Sequence, residues 1–163
     1  MPNVLADIAT IVTDALNSAP DGTFSQSFEA VRSYADWELP LEENQGGTLM
    51  VDVVPVGKLD GDIETRGSLS YSPAVDIAVR LGLGPEKRSV NGRFDVAEVD
   101  ELVAFVQSIA EYFAVDRFGG INQFAWDSSA GNKVNFPYAH LRQHHQFTGI
   151  VRLPFTCSVL LDQ

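Results

Sequence analysis

Apolar residues recur at three- and four-residue spacing near the start of the chain: Val4, Leu5, Ile8, Ile11, Val12, Ala15 and Leu16. That spacing makes one stripe on a helix over residues 3–17, with Asn3 placed to cap it and Pro20-Asp21-Gly22 to end it. Alternation follows. Residues 24–34 read as a strand, Phe24, Phe28 and Tyr34 on one side and Ser25, Ser27, Glu29 and Ser33 on the other. The run from Asp36 to Asn44 is an acidic loop carrying apolar groups, closed by Gly46-Gly47. Residues 48–56 are a second strand, with Leu49, Val51 and Val53 opposite Met50, Asp52 and Val54. A turn over 57–62 leads to a weaker, polar strand over 63–71. The clearest strand covers 73–81, with Pro73, Val75, Ile77, Val79 and Leu81 on one face and Ala74, Asp76, Ala78 and Arg80 on the other.

After a loop over 82–92, Asp95 and Glu98 stand at capping-box spacing ahead of a second helix. Val96, Val99, Leu102, Val103, Val106, Ile109, Ala110 and Phe113 form its stripe, so this helix lies on a sheet. Residues 114–135 are irregular and rich in Gly, Asn and Ser, a length that in a compact domain often carries function. A last strand covers 146–161, where Pro154 demands an edge position or a bulge. The order of elements predicts one α/β domain of the α+β kind over residues 1–163. Its sheet is mostly antiparallel or mixed, of about five strands, with two amphipathic helices on one face.

A chain of 163 residues buries roughly 70% of its unfolded surface and folds without staples or metal. Its formal net charge of −11 repels nucleic acid and anionic membranes at long range. The single cysteine, Cys157, sits in an apolar alternating run and reads as a small buried side chain. The first residues lack a basic segment and carry Asp7 and Asp14, unlike a signal peptide, and no apolar run reaches membrane-spanning length. Synthesis in a cytoplasm without conventional export is the expectation.

Chemistry-bearing patterns are sparse. Neither a P-loop nor a dinucleotide fingerprint is present, and GxSxG is absent. His140, His144 and His145 fall close together, His140 and His144 at helical i, i+4 spacing, but without a carboxylate nearby in sequence or an HExxH pattern. No metal, cofactor or catalytic residue is expected. What remains points to association. Trp37, Leu39, Leu41, Phe118, Phe124 and Trp126 lie in the segments 35–47 and 114–135, where large apolar groups are enriched at interface cores. Arg66, Arg80 and Arg152 lie on strands, placed to pair with acids of another copy. The alternative, that these segments fold back over the domain's own core, stays open.

Several strings resemble small proteins encoded in phage head–tail gene clusters: Trp37 to Glu42, Leu49 to Val56, Arg66 to Tyr71, Val75 to Arg80, Asp100 to Phe113 and Gln146 to Arg152. The chain as a whole, from about residue 3 to 160, is similar to the tail-terminator and neck (head–tail joining) group of long-tailed phages. That resemblance implies an α/β sandwich assembled into a ring, typically a hexamer. The ring caps the tail tube and meets the head connector, and DNA only passes through its lumen. It implies no catalytic residue and a place in the virion. A neck adaptor or stopper is the nearest alternative. A small-ligand module with a pocket formed by Phe118, Phe124 and Trp126, and an enzyme built on the three histidines, are the rival classes.

Overall fold

The computed structural model describes residues 3–42, 47–57, 61–65, 68–84, 95–115, 117–118 and 124–160, with the backbone alone at 61–65 and 159–160. Helix α1 spans Val4–Asn17 and buries Val4, Ile8, Ala9, Val12 and Leu16, the stripe expected from spacing. Asn3 Oδ1 accepts from the Ala6 N–H at 3.1 Å, satisfying one of the free donors of the first turn. Helix α2, Val96–Tyr112, is capped by Asp95, whose side chain accepts from the Ala97 N–H. Its buried face is Leu102, Phe105, Val106 and Ile109, narrower than the expected stripe: Val96 is exposed, one turn short of the sheet.

Eight strands form the sheet: β1 Ala30–Arg32, β2 Met50–Pro55, β3 Gly61–Thr65, β4 Ser68–Tyr71, β5 Ala74–Gly82, β6 Phe124–Trp126, β7 Lys133–Asn135 and β8 Gln146–Leu160. Only β1–β2 pairs in parallel among the described strands, so the sheet is mixed and the fold is α+β, as expected. The pairing of β8 holds one register from Gly82↔Gln146 to Ser68↔Leu160, running through β5 and β4 without a slip. A bond from the Phe155 N–H to the Pro73 carbonyl bridges the joint between them. On its other side β8 pairs first with β7 and then with β6. The eight strands thus fall on five lines, β1, β2–β3, β4–β5, β8 and β6–β7.

Parity explains the faces. Val51 and Val53 pair with Val79 and Ile77, which pair with Gly149 and Val151, so odd positions of β2, β5 and β8 share one face. Those residues join the buried side chains of α1 and α2 in one core. Phe105, Phe113, Phe147 and Phe155 are its largest members. The third helix, α3 (Ala139–His144), and the segment 33–42 cover the even face instead.

Several expectations need correction. Residues 24–29 do not continue β1: Phe24 and Phe28 turn inward onto Phe105, and only Tyr34 stays exposed. Aromatic contact outweighed alternation there. Residues 63–71 are not one strand but the two arms of the β3–β4 hairpin. The segment 114–135 contains β6 and β7, and His140 and His144 lie on a third helix beyond the two expected. Pro154 lies on a strand flanked on both sides, not at an edge. Its missing N–H falls where the neighbouring line leaves the ladder over 127–132, and its carbonyl accepts from the Asp127 N–H.

Gly149 marks the closest approach of helix and sheet. A Cβ built there would lie 2.7 Å from Val106 Cγ2 and 3.1 Å from the Phe136 ring. We predict that Gly149→Ala destabilises the fold by about 1–3 kcal/mol through overpacking. Val106→Ala in the same chain should recover part of the loss, measured by urea unfolding.

Candidate functional site

Among the described residues, the even face of the sheet holds the buried charge. Asp52 on β2, Asp76 and Arg80 on β5, and His140, Gln146 and Thr148 are all buried. Alternation puts them there: these strand positions point away from the helices, where a solvated face is the default. Here 33–42 and α3 lie over them, so each must find a partner.

Arg80 Nη2 meets Asp52 Oδ2 at 2.8 Å, and Ser33 Oγ donates to Asp52 Oδ1 at 3.2 Å. Arg152 grips Asp76 with two bonds, Nε to Oδ1 at 2.7 Å and Nη2 to Oδ2 at 2.9 Å. The paired carboxylate holds the Arg152 guanidinium pKa above its ordinary value, against the opposing effect of burial. Trp37 donates its indole N–H to Asp76 Oδ2 at 3.2 Å. The covering segment is held at a second place by a relay: the Leu41 N–H donates to Gln146 Oε1 at 2.7 Å, and Gln146 Nε2 donates to Thr148 Oγ1 at 2.9 Å. Thr148 Oγ1 lies 2.7 Å from His140 Nδ1, and His140 also bonds the Glu38 backbone. A neutral imidazole, donating once and accepting once, suits both neighbours. Burial, followed by the repulsion of His144, lowers the His140 pKa below its ordinary value.

The expected association residues therefore divide. Arg80 and Arg152 find their carboxylates within the chain, not on another copy, because Asp52 and Asp76 stand beside them on the sheet. Trp37 and Leu41 fold back onto the even face. Leu39, between them, stays exposed. Phe118 is buried on the opposite face, stacked on Phe113 with centroids 5.4 Å apart and edge-on to Phe155. Phe124 is half-buried against the same ring, and Trp126 gives its N–H to Asn132. These rings pack against the edge of the core. Arg66 lies outside the described residues.

The histidines gather no metal-binding set: among the described residues no group of three or more His, Cys, Asp or Glu could hold an ion. His140 and His144 have ring centroids 6.1 Å apart, but His140 Nδ1 is turned to Thr148. Cys157 is buried, and burial pushes its thiol up from the ordinary value. No protein-family model matches the chain, and no curated protein matches it.

The sequence reading missed Asp52, Asp76 and His140 as buried polar groups. Asp52 and Asp76 sit on the side of β2 and β5 that alternation assigns to solvent. The available signal was the opposite charges at the same parity, Asp76, Arg80 and Arg152.

Two expected outcomes follow. Asp52→Ala strands the Arg80 guanidinium, whose Nε already lacks a hydrogen-bond partner among the described residues. Removing one member of such a buried pair costs about 3–5 kcal/mol. The double change Asp52→Ala with Arg80→Met should be much milder in urea unfolding. Second, folding depresses the His140 pKa, so below the unfolded value of 6.5 the unfolded chain binds the extra proton. Stability should be full above pH 6.5 and fall as pH drops through the window beneath it. His140→Gln should remove that part of the pH profile while leaving the losses due to carboxylates at lower pH.

Proposed function

We propose that this chain is a virion assembly subunit, a tail terminator of a long-tailed phage. It closes with copies of itself into a ring, of the hexameric kind, at the neck. The ring caps the tail tube and presents a surface to the head connector, with DNA passing through its lumen. The resemblance of the strings from Trp37 to Arg152 supports the phage assignment. One structural observation carries the assembly reading: exposed large apolar side chains sit at both ends of the sheet. Val31 (52% exposed) and Tyr34 (71%) lie on and just after β1, the strand at one end. Val134 (39%) and Tyr138 (50%) lie on and just after β7, on the last line at the other end. Two separate apolar surfaces suit head-to-tail association, which closes into a ring when the rotation allows.

The buried polar side chains of the even face are meanwhile committed to holding 33–42 on the sheet, as the Asp52, Asp76 and Gln146 contacts describe. Among the described residues no helix is long and apolar enough to cross a membrane. Placement in the virion, with the host cytoplasm as the site of assembly, belongs to the same proposal.

Light scattering over a concentration series, alone and with purified tail tubes, tests the reading. The expected result is a closed oligomer, or a monomer recruited to tube tips that stops their growth. A chain that stays monomeric throughout and leaves tube length unchanged would refute it.

A further inference from the structure

The charge of this chain is strongly segregated along its length. Residues 1–31 contain Asp7, Asp14, Asp21 and Glu29 and no lysine, arginine or histidine. Residues 128–161 contain Lys133, Arg142, Arg152 and all three histidines, and no aspartate or glutamate. The fold carries this division into space. The first segment forms α1, which packs against β1 and β2, and β1 itself. The last segment forms β7, α3 and β8, beyond β5 in the sheet order β1-β2-β5-β8. Among the described residues, α1 and β1 carry no base of their own but Arg32, and β7, α3 and β8 carry no acid of their own, Asp127 standing between β6 and β7.

Side-chain exposure keeps the contrast visible to a partner. Asp7, Asp14, Asp21 and Glu29 are exposed at the first end, and Lys133, Arg142 and His144 at the second. Glu38, in the segment over the even face, lies close enough to α3 to act on His140. An open groove of about 380 Å³ borders β1, with Phe28, Val31, Leu49 and Met50 among its lining. It stands ready for apolar groups such as Val134 and Tyr138.

Resting on the assembly reading above, we infer that the β7–α3 end of one copy docks on the α1–β1 end of a second copy. Opposite charge steers and orients the contact, and the groove beside β1 takes apolar side chains from the incoming end. The contact is made by side chains, not by continuing the sheet. Ser33 bonds back to β2, so the N–H and C=O of Ala30 point outward, and both are already taken by the Asn17 side-chain amide at 2.8 and 2.9 Å. That amide occupies the place of a neighbouring strand at Ala30 and opposes backbone pairing there. A net charge of −11 makes subunits repel one another on average, so a local patch of opposite sign is what selects this orientation over others.

Charge reversal tests the inference on the full chain. Lys133→Glu with Arg142→Glu reverses one end; Asp14→Lys with Glu29→Lys reverses the other. Each pair alone should weaken self-association about a hundredfold at low salt, as like charges are brought together. Both pairs in one chain should restore it to within about tenfold, since the ends are again complementary. Far-ultraviolet circular dichroism and thermal melting establish that each variant is folded, and the four-residue variant supplies the decisive comparison whatever the single-ended ones do. Association of the wild type should also weaken as salt rises, because charges at a surface are screened within about 8 Å at physiological ionic strength. If single-ended variants assemble like the wild type, this interface is wrong while the assembly reading stands. If reversal at either end is not rescued by the combination, the two ends do not meet. If Lys133→Glu with Arg142→Glu instead abolishes retention on duplex DNA and leaves oligomer mass unchanged, the basic end is a nucleic-acid surface and the inference fails. A wild type that remains monomeric at every concentration and salt, with and without tail tubes, overturns the inference together with the reading beneath it.

Discussion

The two-sided pairing of β8 is the constraint on which the rest of this fold hangs. Its fifteen residues pair with β5 and β4 along one side and with β7 and β6 along the other, so two of the sheet's five lines join through it. A strand with neighbours on both sides cannot slip without breaking two ladders, and a slip of one residue would exchange its faces. Its odd residues, Phe147, Val151, Leu153, Phe155 and Cys157, would leave the core, and Arg152 would enter it. Gly149 tightens the same constraint, because the register places the one residue without a side chain against Val106 of α2. Helix position, sheet register and core packing are thus fixed by one another.

With the helices committed to the odd face, the even face had to be covered by something else. The covering segment 33–42 has little regular structure of its own, so its backbone groups and its large side chains find partners on the sheet. Asp76 serves three purposes there: it neutralises Arg152, accepts from Trp37, and so fixes where the segment crosses β5. Thr148 and Gln146 do the same on β8, tying Leu41 and His140 to one short stretch of strand. Buried charge and buried polar groups of this kind contribute little net stability compared with apolar packing. What they add here is position: a segment held only by the apolar contact of Leu41 could settle in many ways, whereas an indole aimed at one carboxylate settles in one.

The two long helices, the strands β2, β5 and β8 and the fold class were legible in the sequence because burial on one side writes a period into it. Val4, Ile8, Val12 and Leu16 mark α1 as plainly as Val75, Ile77, Val79 and Leu81 mark β5. The short strands β6 and β7 were not legible. With three residues each, they carry too little alternation to stand out, and they exist because β8 offers them an edge. Phe24 and Phe28 misled for a different reason. Their spacing fits a strand face, but contacts with Phe105 and Tyr112 decided their place. For the site, the loop aromatics were visible and their destination was not. A tryptophan in a loop reads the same whether it waits for a partner or covers its own sheet, and Asp76, thirty-nine residues along the chain from Trp37, is the difference.

The charge pattern has a bearing on function that neither composition nor any single pair conveys. A uniform excess of acid would make every approach of two copies equally unfavourable, which aids solubility and opposes assembly. Here residues 1–31 carry four acids and no base, and residues 128–161 carry bases and no acid, while Arg80 and Arg152 are withdrawn into pairs with Asp52 and Asp76. Those internal pairs cancel, so they leave the contrast between the ends intact. The same withdrawal removes Arg80 from the surface that another subunit would meet. What remains outside is a molecule with two unlike ends, each carrying exposed apolar side chains, and Asn17 occupying the outward backbone groups of Ala30 at one of them. Edge closure matters as much as attraction. A strand edge left open would accept any extended chain, whereas a closed edge beside a groove discriminates by shape and charge. A contact selected by shape and charge has one orientation, which is what the proposed ring would require over an irregular aggregate.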